Sequence, residues 1–598
     1  MRKAIFIAMT FILTACGGSS ETNNNVSGSS FTLGFSSIKS FDFSWQAQSG
    51  ATHYKLLENK DSNSGFIQVG TDISSNTLSY SHLVPLYSRI NAQYILQSCN
   101  ASECIDSDTL SVNNALTDSI GYVKASNTDN DDNFGKSLSL SGDGSTLAVG
   151  AYAENSSSTD INGDQTDNTA NNAGAVYIFD KSSSGDWTQH AYLKASNAEA
   201  GDFFGFSVSL TSDGNTLAVG AVLEDSSSTG INGDQINNAA IDSGAVYLYS
   251  RDNNNVWSQQ AYIKASNTDS EDYFGENLKL SSDGSTLTVS ASSEDSSSTG
   301  INNIQTDNTS SDSGAVFVFT RGSNDIWSQQ AYIKSSNTGS GDLFGSSVSL
   351  SSDGNLLAVG ALDEDSGSTG INGDQMDNST DGSGAVYIFS RDTNALWTQQ
   401  AYLKASFKDK INLFGDHLAL SADASTLAVS SPYEDSDSIG VNGDQTNKNA
   451  LYSGAVYIFT KDMSNNWEQE AYIKASNTQT DDQFGYHLDI SSDGNILAVS
   501  AISESGNTEG LNGDQNDNSQ NKSGAVYTFV RNGTVWSQQA YLKASNTDKG
   551  DKFGEAVSLA ADGSILAVGA YLEDSNAIGI NGEKTNNNAS ASGAVYLY

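Results

Sequence analysis

Basic residues are scarce: 28 lysines and arginines stand against 71 aspartates and glutamates, a formal net charge of -43. A surface of that sign repels phosphate backbones and excludes an ordinary nucleic-acid binder. Such acidity serves either solubility through self-repulsion or the binding of divalent cations. Long apolar runs are missing too. The run over residues 4–13 is about half of the roughly twenty residues a membrane-spanning helix needs. The five histidines, His53, His82, His190, His417 and His487, include no two at a metal-ligand spacing. No Gly-x-Ser-x-Gly nucleophile motif occurs.

The chain opens with Met1-Arg2-Lys3, a short apolar stretch and Leu13-Thr14-Ala15-Cys16, the layout of a secretory signal. Leu-Thr-Ala-Cys resembles the bacterial lipoprotein signal, which implies a signal peptide over 1–15 and a lipid on Cys16. Acyl chains at ~0.8 kcal/mol per buried methylene anchor such a protein stably. Gly17, rather than aspartate, follows the cysteine, and the resemblance then implies the outer membrane or cell surface. Residues 16–29, rich in Gly, Ser, Asn and Thr, read as a flexible tether. Of three cysteines, Cys99 and Cys104 remain, and export predicts a disulfide between them.

Residues 30–115 alternate short β-rich runs with turns, including Phe41-Asp42-Phe43-Ser44-Trp45 and Tyr94-Ile95-Leu96. The segment resembles a fibronectin type III β-sandwich, with Trp45 read as core.

From Tyr122 a unit of about seventy residues recurs. It is marked by Phe-Gly at Phe134, Phe204, Phe274, Phe344, Phe414, Phe484 and Phe553. Each unit holds four β-rich runs, as at 344–349, 357–361, 384–389 and 397–405, and four strands make a propeller blade. The Asp353-Gly354 turn makes the first two strands antiparallel neighbours. Tyr598 ends the third strand of the last unit, whereas Tyr122-Val123-Lys124-Ala125 is a fourth strand with no blade before it. The expected architecture is therefore all-β: a small sandwich, then a seven-bladed propeller over 116–598 whose ring the N-terminal strand closes. Phe-Gly and Val-Gly-Ala are the marks of FG-GAP repeats, and the chain resembles the propeller head of integrin α subunits over 122–598.

The loops between second and third strands and between blades share one rim. In the first copy that rim carries Asp129, Asp131, Asp132, Glu154, Asp160, Asp164 and Asp167, while Arg251, Arg321, Arg391 and Arg531 lie on the opposite face. A glutamate opens every long loop: Glu154, Glu224, Glu294, Glu364, Glu434, Glu504 and Glu573, a repetition that points to a shared structural role. Further along, Asp160, Asn162, Asp164 and Asp167, and in other copies Asp234, Asp374, Asp377, Asp444, Asp514 and Asp517, are candidate Ca²⁺ ligands. The alternative is that they form solvated turns. In integrin-like blades the calcium loop lies between the first two strands, where this chain has a tight Asp-Gly turn, so the family's ligands are not carried over.

Near-periodic carboxylates argue for seven similar structural sites rather than one active site. The sequence reads as a binding, adhesion or scaffold protein, not an enzyme, that takes a protein or glycan on the acidic rim, with Ca²⁺ as the candidate cofactor. A polysaccharide-active enzyme is the alternative, favoured if one blade's pocket departs from the others; a structural envelope component is the third.

Overall fold

A computed structural model describes residues 30–598 apart from Asn113 and Lys408. The expected signal peptide, Cys16 and the tether up to residue 29 lie outside the described residues. No helix among the described residues is long and apolar enough to cross a membrane.

The repeat folds as read. In the fourth copy, strands Phe344–Leu350, Leu356–Ala361, Ala385–Arg391 and Trp397–Leu403 form one antiparallel sheet in that order. Its first turn is tight because Ser351 Oγ donates to Asp353 Oδ1 at 2.6 Å, that oxygen accepts the Asn355 N–H, and Gly354 takes a φ of +68°. Six such four-stranded sheets, numbered one to six here, follow each other from Ser137 to Leu542. A seventh combines Val557–Leu559, Leu566–Ala570 and Ala594–Leu597 with Gly121–Val123, through the pairs Val595 with Val123 and Tyr596 with Tyr122. The molecule is thus all-β with a propeller-like repeat fold, and no single sheet closes on itself.

Neighbouring sheets meet through small residues. Added to Gly360, a Cβ would lie 2.1 Å from the Gly415 carbonyl oxygen, so the second strand of sheet four lets the Phe-Gly backbone of sheet five lie directly on it. The same approach relates Gly569 of sheet seven to the Gly135 oxygen of sheet one, again 2.1 Å. Apolar side chains fill each junction: Val386 and Ile388 of sheet four with Phe414, Val429 and Tyr457 of sheet five, and Ala567, Val595 and Leu597 of sheet seven with Phe134, Val149 and Tyr177 of sheet one.

In the N-terminal segment two small sheets form, Thr32–Ser37, Ser40–Ser44 and Ser79–Leu83 in one, with His53–Asn59, Ile67–Ser74 and Gln93–Cys99 in the other. Trp45 is buried against Tyr54, with ring centroids 5.4 Å apart. Cys99 and Cys104 form a disulfide between facing strand ends. The compact units do not divide at a single position near residue 115: Phe43–Tyr80 and Ala92–Ser111 belong to the smaller, while Gly34–Asp42 and Ser81–Asn91 count with Val112–Tyr598. Within that larger unit Lys39 donates to the Ser564 carbonyl and Tyr87 to that of Gly563.

Candidate functional site

The loop glutamates are buried, 1 to 4% exposed in all seven copies. Each pairs with a lysine at the end of its own sheet's fourth strand: Glu154 with Lys194, Glu224 with Lys264, Glu294 with Lys334, Glu364 with Lys404, Glu434 with Lys474, Glu504 with Lys543 and Glu573 with Lys124. The Nζ to Oε2 distances are 2.7 to 2.9 Å. An asparagine from the preceding inter-sheet loop donates to the other carboxylate oxygen in six copies, as Asn337 does to Glu364 at 3.0 Å. The fifth copy has Phe407 in that place. Burial lowers these lysines from their ordinary value and the glutamates oppose it. Removing one partner of such a pair costs about 3–5 kcal/mol, because a buried charge is left alone. These pairs lock the long loops onto their sheets.

A second buried carboxylate precedes Phe-Gly in six of the seven copies. Asp132, Asp202, Asp272, Asp342, Asp482 and Asp551 each accept the N–H of the residue three before at 2.8 to 3.0 Å. Burial, foremost, pushes them up to about 7 in Asp132, Asp202 and Asp342, and to about 8 in Asp272, Asp482 and Asp551. The sequence places Asp132 and Glu154 on the acidic loop rim together with Asp129, Asp131 and Asp164. The structure corrects this: both are interior groups of the loop base, 2% and 1% exposed.

The candidate Ca²⁺ ligands are spread along exposed turns. Asp164, Asp234, Asp374, Asp444 and Asp514 each turn Oδ1 to the N–H two residues on, at 2.8 to 3.0 Å. Asp167 accepts from Ser157 and Thr169, and Asp517 from Ser519. Asp377 holds the loop through its backbone carbonyl, to Gly367, and Asp160 likewise to Gly163. Asn162 is a strand clip: its Oδ1 accepts the Tyr192 N–H at 2.9 Å, and its N–H bonds back to Tyr192. Among the described residues, the group of three metal-capable side chains with ligand atoms within 4.8 Å of one another is His53, Cys99 and Cys104, whose sulfurs are in a disulfide. The structure therefore gives the carboxylates of Asp164, Asp167, Asp234, Asp374, Asp444, Asp514 and Asp517 turn partners.

Of the arginines opposite the long loops, Arg251, Arg391 and Arg531 clamp neighbouring sheets, whereas Arg321 pairs within its own hairpin. Arg251 holds Asp180 through two bonds of 2.9 and 3.0 Å, and Arg391 donates to Gln330. Arg531 pairs with Glu470, and Arg321 with Asp325.

First strands of all seven sheets line one cavity of about 400 Å³. Here the copies stop being alike. Directly after Phe-Gly stand Lys136, Phe206, Glu276, Ser346, Asp416, Tyr486 and Glu555, all lining the cavity. The next residue serves the framework: Ser137, Ser207 and Ser347 donate to Gly205, Gly275 and Gly415 carbonyls. Lys136 pairs with Glu555, and its Nζ stands 5.7 Å from the Phe206 ring centre and 5.4 Å from that of Tyr571. Glu276 accepts from the Ser292 hydroxyl, and Asp416 Oδ2 lies 3.2 Å from His417 Nδ1. The rings of His417 and His487 are 4.5 Å apart, and burial holds His487 well below its ordinary value. Two histidines judged too distant in sequence meet because the repeat period sets equivalent positions of adjacent sheets side by side. Aligning the seven copies column by column would have found both this pair and the cavity-lining column. The same alignment exposes the invariant lysine of Tyr-x-Lys that sequence reading passed over.

The FG-GAP repeat family model matches residues 122–179, 187–249, 327–389, 467–529 and 536–598, just over half of the chain. No curated protein matches the sequence. Among solved structures, that of U3-55K aligns over 80% of this chain and 98% of its own at 7% identity, with a TM-score of 0.40. The tricorn protease aligns over 80% and 36% at 10% identity, TM-score 0.34. A Ca²⁺-stabilized adhesin with which an Antarctic bacterium binds ice aligns over 87% and 99% at 9% identity, TM-score 0.13.

Proposed function

Since this chain belongs to the FG-GAP repeat family, we propose that it is a closed seven-bladed β-propeller that holds a protein partner on its long-loop face. Closure is supported by the junction of sheets seven and one, which repeats the glycine approach and the apolar filling of the other junctions. The observation that carries the binding role is an exposed aliphatic side chain in the long loop of each of three consecutive copies. Ile236, Ile304 and Met376 are 81, 67 and 77% exposed; Ile236 and Met376 share a position where the other copies have Thr166, Thr306, Thr446, Asn516 and Thr585, and Ile304 stands two residues earlier, in place of the aspartate of its neighbours. Aliphatic groups that water would otherwise solvate at a cost, set among aspartates, suit a protein surface with an apolar patch and a basic rim. The Cys16 motif supports delivery as an outer-membrane or surface lipoprotein, and the N-terminal segment with buried Trp45 supports a fibronectin-like spacer. Calcium enters this reading only as a condition to vary, because seven of the candidate loop aspartates have turn partners.

The test is binding of the full chain to arrays of envelope proteins and of glycans, with and without Ca²⁺, beside an Ile236→Asp, Ile304→Asp, Met376→Asp variant. Protein binding that falls at least tenfold in the variant is the expected result. Equal binding by the variant, glycan binding alone, or cleavage of a polysaccharide on the array would overturn the reading, the last in favour of an envelope lyase or glycosidase.

A further inference from the structure

The cavity lined by the first strands is chemically unlike the rest of the molecule. Around it the repeated framework is conserved from copy to copy within the chain, whereas the column after Phe-Gly carries three carboxylates, one ammonium and two aromatic rings. Glu276, Asp416 and Glu555 exceed the single positive charge of Lys136. Lower in the cavity Lys279 and Asp489 offset each other in sign, and Asp489 is further held by the N–H groups of Ile490 and Leu559.

The fold itself displays what the upper cavity accepts. One alkylammonium, that of Lys136, sits against the Glu555 carboxylate between the faces of Phe206 and Tyr571. Glu276, Asp416 and Tyr486 present the same pairing of carboxylate and ring, and none of these three positions carries a lysine or arginine. Glu555 is 3% exposed, and its Oε2 is buried with no hydrogen-bond partner among the described residues. A buried oxygen without a hydrogen-bond partner is costly, and a bound donor relieves the cost. Burial and the neighbouring Asp416 raise Glu276, which a cation would also relieve.

We propose that this cavity binds a small organic ammonium ion, an alkyl amine or diamine, with its charge on Glu276, Asp416 and the unpaired oxygen of Glu555 and its methylenes along Phe206 and Tyr486. The volume of about 400 Å³ admits a ligand of that size. The site is independent of partner docking at Ile236, Ile304 and Met376.

Titration calorimetry of the full chain with 1,4-diaminobutane tests this, against 1,4-butanediol and CaCl₂ at matched ionic strength. The expected result is saturable one-to-one binding of the diamine alone, weakened at least tenfold in a Glu276→Gln, Asp416→Asn variant. A Ser346→Lys variant keeps every carboxylate and supplies an internal ammonium to the cavity, and it should block the diamine. Thermal unfolding confirms that each variant is folded. Absence of saturable heat, diol binding as tight as diamine, displacement by Ca²⁺ at low concentration, or unchanged affinity in both variants would overturn the proposal.

Discussion

At the residue scale, the chain uses its acidity in two ways that the sequence does not separate. Exposed aspartates fold turns, as Asp164 and Asp353 do, while interior ones such as Asp272 sit beside buried Glu–Lys pairs. Both kinds look alike in a string of Asp, Asn and Gly, since burial depends on which strand end a loop returns to. The glutamate column was legible from repetition alone. Its lysine partner stands some forty residues on, too far for any local pattern to join the two. The interior aspartates have a consequence for pH. Their folded pKa values lie near 7 to 8, above the ordinary 3.8, so on raising pH the unfolded chain releases these protons first. Stability from this source is fully present below about pH 4 and declines until pH passes 8. Asparagine imitates the neutral acid, and the fifth copy already carries Asn412 in this place. Asp272→Asn should therefore raise the free energy of urea unfolding at pH 8.5, by on the order of 1 kcal/mol or more, and change it little at pH 5. A variant less stable than the parent at pH 8.5 would show that Asp272 is ionised and needed as such.

At the scale of elements, the four strands of the fourth copy are readable to within one or two residues because alternation, Asp-Gly turns and Trp-x-Gln starts repeat, whereas in copies one, three, five and seven the first strand starts three or four residues after the Phe. What sequence alone obscured is a coupling between two columns. Sheets one, two and four have glycine in the second strand, Gly150, Gly220 and Gly360, opposite Ser137, Ser207 and Ser347, whose hydroxyls reach the next sheet. Sheets three, five and six have Ser290, Ser430 and Ser500 instead, and their hydroxyls accept the N–H of Asn277, His417 and His487. The residue pairs switch together, so a glycine may be exchanged only with its partner. Gly360→Ser alone brings a Cβ to 2.1 Å from the Gly415 oxygen and should cost about 1–3 kcal/mol. Adding Ser347→Asn should restore more than half of the lost thermal midpoint. Equal melting of single and double variants would break the coupling. The copies centred on Phe274 and Phe414 lie between the matched segments, and both depart in these columns.

At the scale of the whole molecule, sevenfold repetition, the all-β class and the membership in the FG-GAP repeat family were all legible, because each rests on periodic signals. The cavity chemistry was not, because it is assembled from one residue per copy, seventy positions apart. Binding on the loop face and in the cavity both require that seven sheets form one continuous ring, and the last junction is the place where that ring could fail. The most direct measurement is therefore a crosslink between the registered partners Val123 and Val595. In a Val123→Cys, Val595→Cys chain, mild oxidation should join the two residues nearly completely, as read by peptide mass spectrometry, and stabilise the protein by up to ~5 kcal/mol through the long loop it closes. Free thiols at both positions in the folded chain, or a crosslink that forms only between molecules, would contradict closure.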